Sequence, residues 1–481
     1  MSQKNILRVW LAALVGAHVW THDFVYRGLL VICGDSDYYL HLSKHLGGPS
    51  PDRPMGLPFF LAAVAGVAER VHISLVSLLA VAVHGLAILA AYAWANTASR
   101  GVRSDRIFFA ALGVATAIQF FPLLLLMHSA LLMPDSLALS ALVLILCGIS
   151  RSKPGIRSLG WAFLAGVFAL LRSGQLAHAL LISFFLCWQI WSFEGAKGKR
   201  AILLCGVVLS AALPIFLYHE YNFRQLGARN FGFIGGRTTL SHIAKGASCE
   251  ELMEIAGTAQ ERELMKQQCR PEEMSKAEEY QLLWDSGSLF GRIDEALKET
   301  RAQSNERYER WAGRALYLFP GKAIAAAYSN LNESMRRPVS YNFKLAAPVE
   351  LTETCSLFTW HLWKMAPRDF MREMGEYQRQ NSGFFRVFDS FNEWAARAVT
   401  IFSLVFLAWP LFYGFTPMRE EPVLALSYAL AWTQLLITSF GVYYFTRHHL
   451  FFCALSFFQF SLLLNAIARL PKRPQESQYK K

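Results

Sequence analysis

Asp35 and Asp37 stand in the stretch Cys33-Gly34-Asp35-Ser36-Asp37-Tyr38-Tyr39-Leu40-His41-Leu42, directly after the first apolar run of the chain. A carboxylate at such a boundary is costly to desolvate and often marks function. The plainer alternative makes both acids solvated loop residues, with Asp35 capping the helix that follows. Four further stretches place charge where apolar runs meet. In Pro51-Asp52-Arg53-Pro54-Met55-Gly56-Leu57-Pro58, Arg53 offers a planar fork suited to phosphate, or equally a contact to lipid headgroups. Asp135, after Pro134, opens one run, where an acid also complements the helix dipole. Arg172, before Ser173-Gly174, closes another, where a snorkelling cation is the commoner explanation. Arg447, His448 and His449 interrupt two late runs. Adjacent histidines cannot point the same way on a helix, so they make a poor metal pair by themselves.

The elements that must hold these residues are membrane spans. The chain has 481 residues, 54% of them hydrophobic and only 17% charged, against about 25% charged in soluble domains. Apolar runs of the length needed to cross about 30 Å of hydrocarbon recur throughout. The sequence predicts an all-α polytopic membrane protein of about ten spans, at 6–24, 74–98, 107–127, 136–150, 159–171, 176–193, 201–218, 396–416, 422–443 and 449–467. The first run lacks a clean small-residue cleavage site and is kept as a span. The net charge of +12 sits in short loops beside spans, the distribution expected of cytoplasmic loops, and the basic clusters are not interleaved with an aromatic base-stacking surface; no nucleic-acid partner is expected.

Those basic loops also orient the chain. With a cytoplasmic N-terminus, and with 55–69 lying as a half-buried juxtamembrane helix that does not cross, Arg100, Arg103, Arg106, Arg151, Lys153, Arg157, Lys197, Lys199, Arg200, Arg419, Arg469, Lys472 and Arg473 all fall on one side. The opposite side then receives 25–73, the turns near 128–135 and 172–175, and a hydrophilic region at 219–393. The organisation is an N-terminal transmembrane module (1–218) with an external loop at 25–73, an external domain (219–393), a C-terminal transmembrane module (394–467) and a tail at 468–481. A stretch as long as 219–393 implies structure of its own, here mostly helical. Its segment 306–335 carries apolar residues at helical spacing on both sides of Pro320 and reads either as a helix pair on the membrane interface or as an ordinary packed pair. Of eight cysteines, Cys249 and Cys269 are the pair expected to bridge if that side is oxidising.

Three acids and three arginines thus converge on one face of the membrane. The pattern resembles the GT-C superfamily of polyprenyl-phosphate-sugar-dependent glycosyltransferases, in the branch of protein O-mannosyltransferases and the lipid A aminoarabinose transferase. The residues that carry the likeness are Asp35-Ser36-Asp37-Tyr38-Tyr39 after the first span, Arg53-Pro54 with Pro58 opening a juxtamembrane helix, Asp135 in the second external loop, and Arg447-His448-His449-Leu450 opening the final span. The resemblance covers about 1–220 and 396–467. It departs at Ser36, where many members have Glu, and in placing the external domain before the last spans.

The resemblance implies a GT-C-like bundle and an inverting transfer at the non-cytoplasmic face. A polyprenyl-phosphate-linked sugar would be the donor, and a glycan, lipid or protein the acceptor. Asp35 would serve as catalytic base and Asp37 as its helper. Arg53, Arg172 and Arg447 would meet the donor phosphate, with Asp135, His448 and His449 supporting the acceptor or a metal. A divalent ion, Mg or Mn, would draw on Asp35, Asp37 and Asp135. Family habit points to a bacterial inner membrane with the site facing the periplasm. A glycan polymerase or ligase using a diphosphate-linked oligosaccharide would share this site. A transporter or flippase is the reading from another class, but neither repeated halves nor midspan charges are present in the sequence.

Overall fold

The computed structural model describes residues 2–21, 39, 42–44, 55–100, 105–120, 134–172, 174–193, 197–227, 235–244, 247–274, 282, 285–336, 376, 379–441 and 445–469. Among these residues the fold is entirely helical. In chain order the bundle begins with α1 (Gln3–Trp20), α2 (Gly56–Arg70), α3 (Leu75–Ala98), α4 (Asp105–Phe120), α5 (Pro134–Arg151), α6 (Ile156–Ala169), α7 (Gln175–Ser192) and α8 (Lys197–Leu226). The hydrophilic region supplies α9 (Gly235–Ala244), α10 (Cys249–Ile255), α11 (Ala259–Gln268), α12 (Pro271–Met274), α13 (Leu289–Leu297), α14 (Arg301–Leu318) and α15 (Pro320–Arg336). The chain returns to the bundle with α16 (Ser382–Phe406), α17 (Trp409–Tyr413), α18 (Thr416–Glu420), α19 (Pro422–Gly441) and α20 (Phe445–Arg469).

Five of these helices, α3, α7, α8, α19 and α20, are long and apolar enough to cross a bilayer, where the sequence predicts ten spans. The expected span at 396–416 is not one helix. Pro410 has no N–H to donate and its ring collides with the carbonyl four residues back, at Phe406, where α16 ends. Gly414 then turns with φ 62°, and α18 restarts at Thr416 with Pro417 in its first turn. The apolar part of α16 is only Arg397–Phe406.

The bundle has a basic end and an opposite end, and hydrogen bonds identify both. At the basic end Gln3 Nε2 donates to Asp105 Oδ1 (3.1 Å), Arg151 Nε to Thr97 Oγ1 (3.1 Å), and Ser150 Oγ to Glu421 Oε1 (3.2 Å). Asn465 Nδ2 donates there to the carbonyls of Ala98 (2.8 Å) and Arg100 (3.2 Å). The chain starts of α1, α4 and α19 and the chain ends of α3, α5 and α20 are therefore neighbours. A helix of 24 residues such as α3 is about 36 Å long, so its start, Leu75, lies at the opposite end. Gly56 at the start of α2 is also there, because its N–H donates to Leu170 O (2.9 Å) at the end of α6. Both termini of α2 thus lie at the end away from the basic loops. With 15 residues it is about 22 Å long, short of the hydrocarbon thickness.

Small residues bring the helices close. A Cβ at Gly166 would lie 2.4 Å from Ala211 O and 3.1 Å from the Pro214 ring, so α6 and α8 touch backbone to backbone. The bundle core runs through Trp94, Leu142, Phe168, Ile182, Leu430, Phe451 and Phe458. Trp94 Nε1 donates to Ser461 Oγ (2.8 Å), tying α3 to α20.

A second core belongs to the hydrophilic region and is built around α14, whose Tyr308, Trp311 and Ala315 meet Leu240, Leu252, Met265, Phe290 and Ile293. Cys249 and Cys269 are joined by a disulfide, their Cα atoms 5.7 Å apart, which ties the start of α10 to the end of α11. The bridge closes a loop of 20 residues, for which chain-entropy reasoning gives about 3 kcal/mol. Cys249→Ser is accordingly expected to lower the unfolding free energy of this domain by about that amount, read as an earlier protease-sensitive transition that reductant reproduces in the native chain.

Glu261 caps α11 and joins it to α14. It accepts from the Gly257 and Thr258 backbone N–H groups (2.7 and 3.0 Å), from Trp311 Nε1 (3.2 Å) and from Arg310 Nη2 (3.1 Å). Burial pushes this carboxyl upward, but the hydrogen bonds from Trp311, Thr258, Gly257 and Arg310 together outweigh it and hold the group below the usual carboxylate range. A depressed folded pKa contributes stability that is complete above the unfolded value of about 4.3 and is lost as pH falls through the folded value. The domain is expected to hold constant stability at neutral pH and to weaken below about pH 4. Glu261→Gln should flatten that acid limb in a denaturation series.

Candidate functional site

The site forms at the bundle end away from the basic loops, where α5, the α6–α7 turn and α20 meet. Asp135 is the second residue of α5 and is fully buried. Arg172 lies in the turn between α6 and α7, and its Nη1 donates to Asp135 Oδ1. The side chains are 1% and 14% exposed respectively, so water screens little of this pair. The Arg172 guanidinium also lies over the ring of Phe451 on α20, 5.9 Å from its centroid. Asp135 Oδ2 is buried and has no hydrogen-bond partner among the described residues. A carboxylate with one oxygen held by a cation and the other unengaged can accept one more hydrogen bond, for example from a hydroxyl group.

The turn carrying Arg172 is braced from both sides. The Gln175 N–H donates to Arg172 O at 2.9 Å, starting α7. One turn on, His178 is fully buried, with Nδ1 against the Gln175 amide and Nε2 3.3 Å from Leu430 O on α19. A carbonyl can only accept, so Nε2 carries the proton. A neutral ring then accepts at Nδ1, and the amide NH2 of Gln175 must face it. Gln175 and His178 were not singled out in the sequence. Their spacing of three residues, directly after a charged turn, was the available sign, but it is common to any helix packed by polar contacts.

Two other chain segments reach this place. Gly56 packs so closely on Leu170 that a Cβ would lie 2.4 Å from its carbonyl oxygen; the segment three residues beyond Arg53 therefore abuts the one two residues before Arg172. Tyr39, two residues after Asp37, shares a buried cluster with Leu57, Leu61, Leu79, Val83 and Leu137, the last two residues beyond Asp135. Leu42 and Met55 form a further cluster with Tyr218, bordered by Leu170 and Tyr221.

No family model matches the chain, and neither the curated proteins nor the solved structures contain a match.

The sequence treats Asp135 and Arg172 as members of different groups, one supporting an acceptor or metal and the other binding phosphate. In the structure they are one ion pair. Asp35, Asp37 and Arg53 lie outside the described residues. Arg447, His448 and His449 occupy the first turn of α20, ahead of Phe451, and their side chains lie outside the described residues. The described residues hold no group of three His, Cys, Asp or Glu suited to a metal. Of the three acids expected to bind Mg or Mn, only Asp135 is described, and its partner is a guanidinium. A divalent ion on its remaining oxygen would face that cation at close range, so Asp135 does not fit the metal role.

Proposed function

We propose that the chain is an inverting membrane glycosyltransferase of the GT-C type, which moves a sugar from a polyprenyl-phosphate donor to a glycan, lipid or protein acceptor. The observation that carries this reading is the buried Asp135–Arg172 pair at the bundle end away from the basic loops. The segments that follow Asp37 and Arg53 pack beside it.

In this reading Asp35 removes the proton from the acceptor hydroxyl, with Asp37 as helper, while the oxygen attacks the anomeric carbon. The bond from that carbon to the phosphate oxygen breaks on the opposite face, inverting the centre, and the polyprenyl phosphate leaves with the electron pair. Its charge is met by Arg172, fixed in advance by Asp135, with Arg53 and Arg447 as further cations. The basic loops would face the cytoplasm of a bacterial inner membrane and the site its periplasm.

The test is transfer of radiolabelled sugar from a polyprenyl-phosphate donor by the protein in vesicles, with Asp35→Asn alongside. The expected result is a new glycosidic product that disappears with the variant. Movement of donor across the vesicle without such a product, or undiminished product from Asp35→Asn, overturns the proposal.

A further inference from the structure

We propose that the α14–α15 helix pair seats the external domain on the bilayer, with Ile324 and Tyr328 entering the lipid interface. The two faces of α15 do different things. Ala323 and Ala327 are buried, the former in the external core. Ile324 and Tyr328, one turn apart, are 62% and 68% exposed. Large apolar side chains left so open on one helix face call for a covering medium.

The position of the helix says which medium. Asn330 Nδ2 donates to Ser439 O (3.2 Å), and Leu331 packs against the bundle core. Ser439 lies two residues before the end of α19, whose apolar span is Pro422–Ser439, so on the membrane-spanning reading of α19 it lies near the edge of the hydrocarbon. Along α15, at 1.5 Å per residue, Tyr328 is about 3 Å and Ile324 about 9 Å from Asn330. These are the largest heights above Asn330 that the helix rise allows, reached only if the helix stood upright. The headgroup layer extends about 5–8 Å beyond the hydrocarbon.

Composition fits that layer. Gly321, Ile324, Ala325 and Tyr328 are exposed on α15 and none is charged. Lys322, two residues before Ile324, donates to Glu251 Oε2 at 2.5 Å. Across Pro320, Leu316, Leu318 and the 85% exposed Tyr317 are open as well. Tyrosines at the edge of an apolar patch are the side chains that settle at headgroup depth. The partner is therefore the lipid bilayer in which the chain itself sits.

The test uses the full chain in phosphatidylcholine–phosphatidylglycerol vesicles, with Cys33, Cys205 and Cys355 replaced by serine. An environment-sensitive thiol label is placed at Ile324→Cys or Tyr328→Cys, and at exposed Lys266→Cys as reference. All three positions are at the surface, so the fold should tolerate them. The expected result is quenching by shallow nitroxide lipid severalfold stronger at 324 and 328 than at 266, with weaker quenching by aqueous iodide. Iodide quenching as free at 324 and 328 as at 266 would place the face in water. Shielding from both quenchers would place a protein there, a second copy or another partner. Either result overturns the proposal.

Discussion

Arg172→Met is expected to cost about 3–5 kcal/mol of stability, because it strands a buried carboxylate, and to abolish sugar transfer. Asp135 is fully buried and Arg172 supplies the hydrogen bond to its Oδ1. With the guanidinium gone, the acid must either stay charged without compensation or take up a proton. The double variant Asp135→Asn/Arg172→Met removes both charges and should recover most of the lost stability while recovering none of the transfer. Arg172→Lys should keep much of the stability and still lose transfer, since an ammonium lacks the paired donors of the fork. Thermal unfolding in detergent reads the first quantity and the donor assay the second. If transfer followed stability through all three variants, Arg172 would be structural alone.

The second large effect is expected in the domain built around α14. Arg307 is 1% exposed; its Nε donates to Glu299 (2.9 Å) and its Nη2 to Asp294 (2.7 Å). The guanidinium lies 4.3 Å from the Tyr308 ring centroid and 4.8 Å from that of Trp311. Asp294 is shared, accepting also from Arg237 (2.7 Å), Ser304 (2.8 Å) and Tyr308 (3.0 Å). Removing Arg307 takes away two charge-assisted bonds and the stacking together. The acids it leaves are 23–27% exposed and regain some hydration. Arg307→Met is therefore expected at the low end of the range for broken buried pairs, about 3 kcal/mol. Arg307→Lys should rescue little, for want of the fork and the planar stack. Limited proteolysis across a denaturant series measures it, and an unchanged midpoint would contradict the assignment.

Hydropathy made the longest spans legible, because α3, α8 and α20 are apolar over enough residues to leave no other reading. It failed at 396–416, where the apolar run continues but Pro410, Gly414 and Pro417 interrupt the backbone. Those three residues were visible and outweighed by the run. The charges at the apolar boundaries were also legible one by one. Their pairing was not: Asp135 and Arg172 are 37 residues apart on elements whose adjacency only packing decides. The bracing by Gln175 and His178 was hidden for the same reason, since its third member is a backbone carbonyl on α19.

The hydrogen bonds from Trp94 to Ser461 and from Asn465 to Ala98 each join residues 367 positions apart. The helix that receives the Trp94 indole is thus translated long after the one that carries it. Until α20 is synthesised, α3 lacks the Ser461 acceptor for its indole and the Asn465 donor for the Ala98 carbonyl. The whole hydrophilic region that supplies α9 to α15 is therefore synthesised between the two partners, and closure of the bundle must wait on it.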